Sequence, residues 1–387
     1  MTLAIVSSRY PYSGAESFLA AETRGLQKHF ARVIVIPARH GMFSIETFAA
    51  ALGVLRARPL HVARVFTSLL FAPSSLRIKL KNVLLFPRGL CVAAIVRREN
   101  VEHLHAYWLS APATVALIAS RLTGVGWSAS AHAWDIYERN LTAEKLASAA
   151  FVRTISKQGL EHLAVIAGER FRDKLRCVRL GVDIPRQTAA PAHAEIALVC
   201  AANLVPKKGH STLLRALKLV DDAGIAFRCD IVGKGPLQPR LRRQIEALNL
   251  RNKALLLGYR AHGRLLAGLR RGDYDVAILA SRQDGCRMEG IPVALIEAMA
   301  AGLSCIGTSS GAVGELLDET CGVVVRVHDE RALADAVVRL ATNARLRHAL
   351  GASARARVTA EFNAALTTAE LAALIRAACE HPLEVSA

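Results

Sequence analysis

A chain of 387 residues is longer than one ordinary core organises, and 52% hydrophobic with 21% charged residues is the composition of a folded protein with material for two cores. This excludes a disordered chain, and without a run of about eighteen apolar residues no spanning helix is expected. The net charge of +18 points to an anionic partner: a membrane surface, a nucleic acid or a phosphorylated substrate.

The chain opens with MTLAIVSSRYPYSG, which lacks a basic segment followed by a long apolar one. It reads as a first strand, Thr2 to Ser8, entering a loop, rather than as a secretory signal. Further β-type runs follow in ARVIVIP, HLHAYW, GWSASAHA, FVRTIS and RCVRLGV, separated by helical patterns such as AESFLAAETRGLQKH and APATVALIASRL. From Thr47 to Arg98 there is no Asp or Glu, while Arg56, Arg58, Arg64, Arg77, Lys79, Lys81, Arg88, Arg97 and Arg98 alternate with Leu, Val, Phe and Ile. Basic residues interspersed with apolar ones suit an interfacial helix on anionic lipid. Nucleic-acid binding is not expected, because no zinc-finger, RNP or helix-turn-helix pattern accompanies the charge.

The alternation pauses at DIPRQTAAPAHAEI, Asp183 to Ile196, a linker without apolar periodicity. This predicts a first domain over 1–185, a linker over 186–195 and a second domain over 196–362. Strands resume in IALVCAAN, FRCDIVG, KALLLGY, YDVAILA, LSCIGT and GVVV, with helices including STLLRALKLVDDAG and PVALIEAMAAG. Asn363 to Glu380 reads as a helix that packs back on the first domain. Strand and helix in regular alternation predict an α/β protein with two doubly wound parallel sheets facing across a cleft, ligands binding at the carboxyl ends of the strands. Eight cysteines without a CxxC pair read as reduced, buried groups, hence a cytoplasmic location.

The segment MEGIPVALIEAMAAG, Met288 to Gly302, holds two carboxylates among apolar residues. Pro292 is placed as the first helical residue and Gly302 as the terminating glycine. The helix start at Gly290, Ile291, Pro292 and Val293 then offers free N–H groups to an anion. Glu289 lies just outside that start and Glu297 a little over a turn inside. Taken singly, Glu289 reads as a partner of the helix dipole and Glu297 as an exposed helix-face residue. Together they flank an anion site with two acceptors for hydroxyls, which matches a nucleotide sugar: sugar at Glu289, ribose at Glu297.

EGIPVALIEAMAAG also resembles the E-x7-E motif of the retaining glycosyltransferases of family 4, which have the two-domain GT-B fold. AANLVPKKGHSTLLRAL, CDIVGKGPL, LLLGYR and SSGAVGELL resemble further motifs of that family, in its order, over about Ala194 to Phe362. More loosely, SGAESFLAAET, HLHAYW and SASAHAWDIY are similar to bacterial exopolysaccharide and colanic-acid-type members.

The resemblance implies that Glu289 contacts the donor sugar, Glu297 the ribose, and Lys208 the diphosphate, with Lys207 beside it. Where the family has a diphosphate-clamping Arg, this chain has Asn203; Arg282, Arg287 or Lys207 are the candidate replacements. His132, which alone would read as a core histidine, matches the histidine facing the donor sugar. Gly14 matches a glycine that lets backbone approach the phosphate, and backbone near Tyr259 and Arg260 reads the base.

The resemblance further implies transfer of a sugar from a UDP- or GDP-sugar with retention, His132, Glu289 and Lys208 being the catalytic set. The expected acceptor is a glycan on a polyprenyl diphosphate, and the expected location the inner face of the plasma membrane. No metal or other cofactor is implied. DYD, Asp273 to Asp275, reads as a turn before a strand, and His103 and His105 share a strand face without a further ligand nearby. Two alternatives remain: a catalytically weak donor-binding or partner subunit, for which Asn203 speaks, and a nucleotide-sugar epimerase or hydrolase on the same fold.

Overall fold

Near-continuous apolar runs become parallel strands buried on both faces, and this chain lays them down in two six-stranded sheets. The computed structural model describes residues 1–12, 17–39, 44–186, 193–283 and 288–380. It divides into two units, Met1–Arg179 with the chain from Thr367, and Leu180–Leu366.

The first unit runs β1 (Thr2–Ser7), α1 (Ser17–Leu26), β2 (Arg32–Pro37), α2 (Ile45–Ala57), α3 (Pro59–Phe71), α4 (Leu76–Arg98), β3 (His103–Tyr107), α5 (Ala111–Thr123), β4 (Gly126–Ala131), α6 (Trp134–Tyr137), α7 (Thr142–Ser148), β5 (Val152–Thr154), α8 (Lys157–Ala167) and β6 (Leu175–Cys177). Its strands pair in parallel in the order β2-β1-β3-β4-β5-β6. Alanine-rich α5 is buried along almost its whole length against α4 and the sheet, because small side chains let helix and strand approach closely.

The second unit runs β7 (Ile196–Ala201), α9 (His210–Asp222), β8 (Phe227–Val232), α10 (Gln238–Ala247), β9 (Ala254–Gly258), α11 (His262–Arg271), β10 (Val276–Leu279), α12 (Val293–Ala300), β11 (Ser304–Thr308), β12 (Val323–Val325), α13 (Glu330–Thr342) and α14 (Ala344–Glu361). The parallel order β12-β11-β10-β7-β8-β9 reverses between β10 and β7. The final helix α15 (Ala364–Glu380) places Leu371, Ala372 and Ile375 in the same apolar cluster as Leu3, Ile5, Leu19 and Leu26.

Three expectations are corrected. Residues 180–185 belong to the second unit, not the first: Val182 N–H donates to Phe362 O at 2.8 Å, and Ala364 N–H donates back to Val182 O at 3.0 Å. These main-chain bonds outweigh sequence proximity to β6. The basic stretch is not one interfacial helix but three helices. Part of its charge is structural: Arg88 is buried with Nε donating to Pro37 O at 3.1 Å, and Lys81 is ion-paired to Glu138. Finally, α12 begins at Val293 with Pro292 as its N-cap, so the helix starts one residue later than predicted.

Candidate functional site

A sheet whose order reverses opens a crevice at the carboxyl ends of the two strands flanking the reversal. In the second unit these are β7 and β10, and the residues singled out in MEGIPVALIEAMAAG and VPKKGH follow them directly. After β7 the chain makes a short turn, Pro206–Lys208, and enters α9 through Gly209, whose φ of +65° and approach to Ala280 O leave no room for a Cβ. Arg282 N–H donates to Lys207 O at 2.7 Å, tying the loop after β10 to that turn.

Glu289 sits at this junction, 7% exposed. Lys208 Nζ donates to its Oε2 at 2.7 Å, Ser281 Oγ donates to the same oxygen at 2.8 Å, and Lys207 Nζ lies 3.8 Å from Oε1. Burial pushes the carboxyl upward, but Lys208, Lys207 and Ser281 together outweigh it and hold it below the usual carboxylate range. Burial conversely lowers Lys207, with Glu289 opposing. The backbone of Glu289 is clamped as well. Its N–H donates to Ser310 Oγ at 3.2 Å, Ala312 N–H donates to its carbonyl at 3.2 Å, and Gly311 has φ +56° with no space for a Cβ against that carbonyl.

Glu297 is not the exposed helix-face residue its position alone suggests. It is 9% exposed, and His262 of α11 approaches Oε1 through Nε2 at 2.6 Å. That hydrogen bond raises the pKa of His262 above 6.5, against desolvation. Each buried carboxylate thus has a cationic or proton-bearing partner, as burial of a charge requires. Between them, the first N–H groups of α12 lack intrahelical acceptors.

Asn203 is exposed, its carbonyl accepting from Val205 N–H at 2.8 Å and from His210 Nε2–H at 3.1 Å. Arg282 is exposed, with its Cγ beside Gly209 at the start of α9. Arg260 is exposed beyond β9, and neighbouring Tyr259 carries Lys234 Nζ 5.2 Å from its ring centroid. Gly14 and Arg287 lie outside the described residues.

In the first unit His132 follows β4 directly and is 5% exposed. Trp108, which follows β3 directly with φ +85°, stacks obliquely on it at 4.2 Å, and Phe18 lies 5.5 Å away. Neither ring nitrogen of His132 has a hydrogen-bond partner among the described residues, and burial pushes its pKa down to about 3, Arg153 adding to the effect. Its backbone is held by Asp135, which accepts from His132 N–H and Ala133 N–H at 3.0 Å each and from Leu109 N–H at 2.8 Å. Buried Lys145 donates to the carbonyls of Leu109 and Ser110 at 2.8 and 3.0 Å. The neutral imidazole is therefore rigidly mounted, with both nitrogens unused by the described residues.

Sequence reasoning paired none of Ser281, Ser310, His262, Trp108 or Asp135 with the site. HAWD carries a local signal, an acid three residues after the histidine that can cap its backbone; Ser281 stands eight residues before Glu289 without a helical or strand register to link them, and Ser310, His262 and Trp108 are distant in sequence from what they touch. His103 and His105 form a ladder with serines of β4, His103 Nε2 and His105 Nδ1 each 2.8 Å from Ser128 Oγ and His105 Nε2 2.9 Å from Ser130 Oγ. Asp275, read as a turn residue, accepts from Ala197 N–H at 2.9 Å.

Residues 183–357 match the family model described as glycosyl transferases group 1. The chain is 36% identical over 217 residues to the colanic acid biosynthesis glycosyltransferase WcaL of Escherichia coli, covering 53% of this chain and 52% of that one. The match thus spans about half the length of that relative. It is 29% identical over 317 residues to a GDP-mannose-dependent alpha-(1-6)-phosphatidylinositol monomannoside mannosyltransferase of Mycobacterium tuberculosis, covering 74% of this chain and 80% of that one. The crystal structure of HepE from Anabaena in complex with UDP superimposes with a TM-score of 0.70 at 16% identity, covering 97% of this chain and 100% of that one, a likeness of fold.

Proposed function

With residues 183–357 a glycosyl transferases group 1 domain on a GT-B fold, we propose that the protein transfers a sugar from a nucleotide diphosphate donor to a glycan acceptor with retention at the anomeric carbon. The observation that carries this reading is the buried pair Glu289 and Glu297 flanking the start of α12 at the reversal of the sheet, with Lys208 on Glu289. A diphosphate at the N–H groups of Gly290, Ile291 and Val293 puts the sugar hydroxyls at Glu289 and the ribose hydroxyls at Glu297. Pro292, having no N–H, contributes only its fixed φ. Lys208 shifts from carboxylate to phosphate as the donor enters. Arg282 supplies the guanidinium that Asn203 does not, and the backbone at Arg260 borders the base.

In the reaction, the acceptor oxygen bonds to the anomeric carbon on the face from which the diphosphate departs. The bond from that carbon to the phosphate oxygen breaks, and the acceptor proton passes to the leaving phosphate. The protein contributes position and stabilisation of the developing diphosphate charge, through Lys208 and the helix start. His132, neutral and unpartnered, holds a donor-sugar hydroxyl. Lys208, Arg282 and the helix start are proposed to carry the charge without a metal, so an unchanged rate in chelator is expected.

The acceptor is proposed to be a lipid-linked oligosaccharide of bacterial surface-polysaccharide synthesis, bound by the first unit. WcaL is described as a colanic acid enzyme, and the mycobacterial relative acts on a phosphatidylinositol mannoside. The donor base is uracil or guanine: the mycobacterial relative depends on GDP-mannose, and HepE is seen with UDP.

A thermal-shift panel of UDP, GDP and their sugar conjugates tests the reading without an acceptor. A donor at a hundred times its Kd should stabilise by about 2.7 kcal/mol. The shift should fall in Lys208→Ala and Glu297→Ala. No shift with any nucleotide on folded protein sinks the donor site; a shift without transfer to any glycan acceptor favours the non-catalytic subunit.

A further inference from the structure

Helices α2 to α4 distribute their apolar residues unlike the rest of the molecule. Of the sixteen large hydrophobic residues exposed among the described residues, nine fall between Ile45 and Leu84. On α2 they are Ile45, Phe48, Leu52 and Leu55, spaced three, four and three, which is one stripe of a helix, from 88% exposed at Ile45 to 42% at Leu55. On α4, Leu76, Leu80 and Leu84 form a second stripe at intervals of four. The opposite faces are buried, through Thr47 and Val54 on α2 and Ile78, Asn82 and Leu85 on α4, and the helices pack on one another and on α3. The fold has therefore already used one face of each helix and left a second apolar face in water. Such surfaces mark interaction sites.

Charge identifies the occupant. Arg56, Arg64 and Arg77 are exposed on the same three helices and Arg58 at the junction of α2 and α3, and Glu46 is the only acid between residues 45 and 98. A protein partner or a second copy of this positively charged segment would have to neutralise those arginines, and a second copy carries the same excess. Nucleic acid would satisfy the arginines but not the leucines. A bilayer with anionic headgroups satisfies both, taking side chains at the depth of the acyl boundary and guanidinium groups at the phosphates. Among the described residues no helix is long and apolar enough to cross a membrane, so contact at these helices is by an interfacial face.

We propose that the exposed stripes of α2 and α4, with the arginines beside them, form a docking face that inserts into an anionic membrane surface. This extends the lipid-carried acceptor proposed above, yet vesicle binding requires neither donor nor acceptor, so the two readings can fail separately.

The test is co-sedimentation of the full chain with phosphatidylcholine–phosphatidylglycerol vesicles and with pure phosphatidylcholine vesicles. Wild-type protein should partition onto the anionic vesicles and far less onto the neutral ones. An arginine near such a surface is worth about a fivefold change, so Arg56→Gln with Arg58→Gln should weaken binding by about 25-fold. Leu52→Ser with Leu55→Ser should weaken it by about tenfold or more with both arginines in place. The two arginines are exposed, so that pair should melt near wild type, whereas Leu52 and Leu55 are 46% and 42% exposed, so the serine pair should melt somewhat lower while remaining folded at the assay temperature. Hydrogen exchange on the wild-type protein gives an answer that needs no variant: amides between residues 45 and 84 should slow when anionic vesicles are added.

Absence of anionic-vesicle binding, or binding indifferent to Leu52→Ser with Leu55→Ser, overturns the proposal. So does a concentration-dependent dimer in sedimentation velocity that those substitutions abolish, which makes the face a self-association surface. Salt-sensitive binding to arbitrary duplex DNA that the serines leave intact, without vesicle binding, assigns the arginines to nucleic acid instead.

Discussion

At the carboxyl edge of the second sheet each buried carboxylate has a partner within 2.7 Å, Lys208 for Glu289 and His262 for Glu297. Beyond β4 in the first unit His132 is just as deeply buried, and among the described residues neither of its nitrogens has one. The difference follows from charge. A buried carboxylate must be compensated in the folded protein itself, whereas a neutral imidazole can be left unmade at modest cost. A ligand entering the second unit must therefore exchange partners with groups already paired, while one reaching His132 meets unused nitrogens. The first unit also holds a charged counterexample in Arg153 and Glu22, paired at 2.5 Å and wholly buried, with Tyr107 donating to the same carboxylate at 2.6 Å.

That counterexample supplies the largest expected effect. Arg153→Met should lower stability by about 4 kcal/mol, read from the urea midpoint, because Glu22 is left charged and buried. A loss near zero would mean that charge is not what separates the two regions. Gly311→Ala follows, with about 3 kcal/mol expected, since the backbone is in the left-handed region and the new Cβ meets Glu289 O at 2.0 Å. Lys208→Ala should cost about 2 kcal/mol, Lys207 still compensating Glu289 in part. Adding Glu289→Gln should recover most of that loss without restoring the nucleotide-induced shift. Additive losses would break the argument that Lys208 is there for the carboxylate.

His262 is 34% exposed but Glu297 only 9%, so the contact is partly screened and should be worth about 1 kcal/mol. Its sign with pH is determined. Because the pKa of folded His262 is raised above 6.5, its contribution is complete below that value and lost as pH rises through the folded value. The melting difference between wild type and His262→Gln should therefore shrink from acid to alkaline buffer; a difference that grows contradicts the pairing. The smallest effect on stability belongs to His132→Phe, within about 0.5 kcal/mol, since no hydrogen bond is given up. Transfer should nevertheless be lost, and a variant that transfers normally would show the unpartnered imidazole to be packing alone.

Much of the fold was readable because central parallel strands are buried on both faces, so TLAIVS and IALVCA announce themselves as apolar runs bounded by turn residues, and even the partly buried edge strand RVIVIP keeps such a run. The helices of residues 45–98 were obscured by the same chemistry: a helix apolar on two faces carries no clean period, and one basic surface segment resolved into three helices. Within the site, Glu289, Glu297 and the helix start lie within nine residues of one another, so their relation is local and legible. Their partners are not. Lys208 precedes Glu289 by 81 residues and entered only through motif resemblance; His262 precedes Glu297 by 35 and did not enter at all.

The sequence by itself determined what depends on local pattern: two α/β units, the placement of a proline and two acids about a helix start, and an excess of positive charge concentrated before residue 98. Tertiary structure alone decided which of those charges are available. Arg88 is spent on a buried carbonyl and Lys81 on Glu138, while Arg56 and Arg58 remain in water beside leucines that composition assigns to a core. It likewise decided that Glu289 and Glu297 are buried and paired while His132 is buried and unpartnered. Burial and pairing depend on residues distant in sequence, and only the folded chain brings those together.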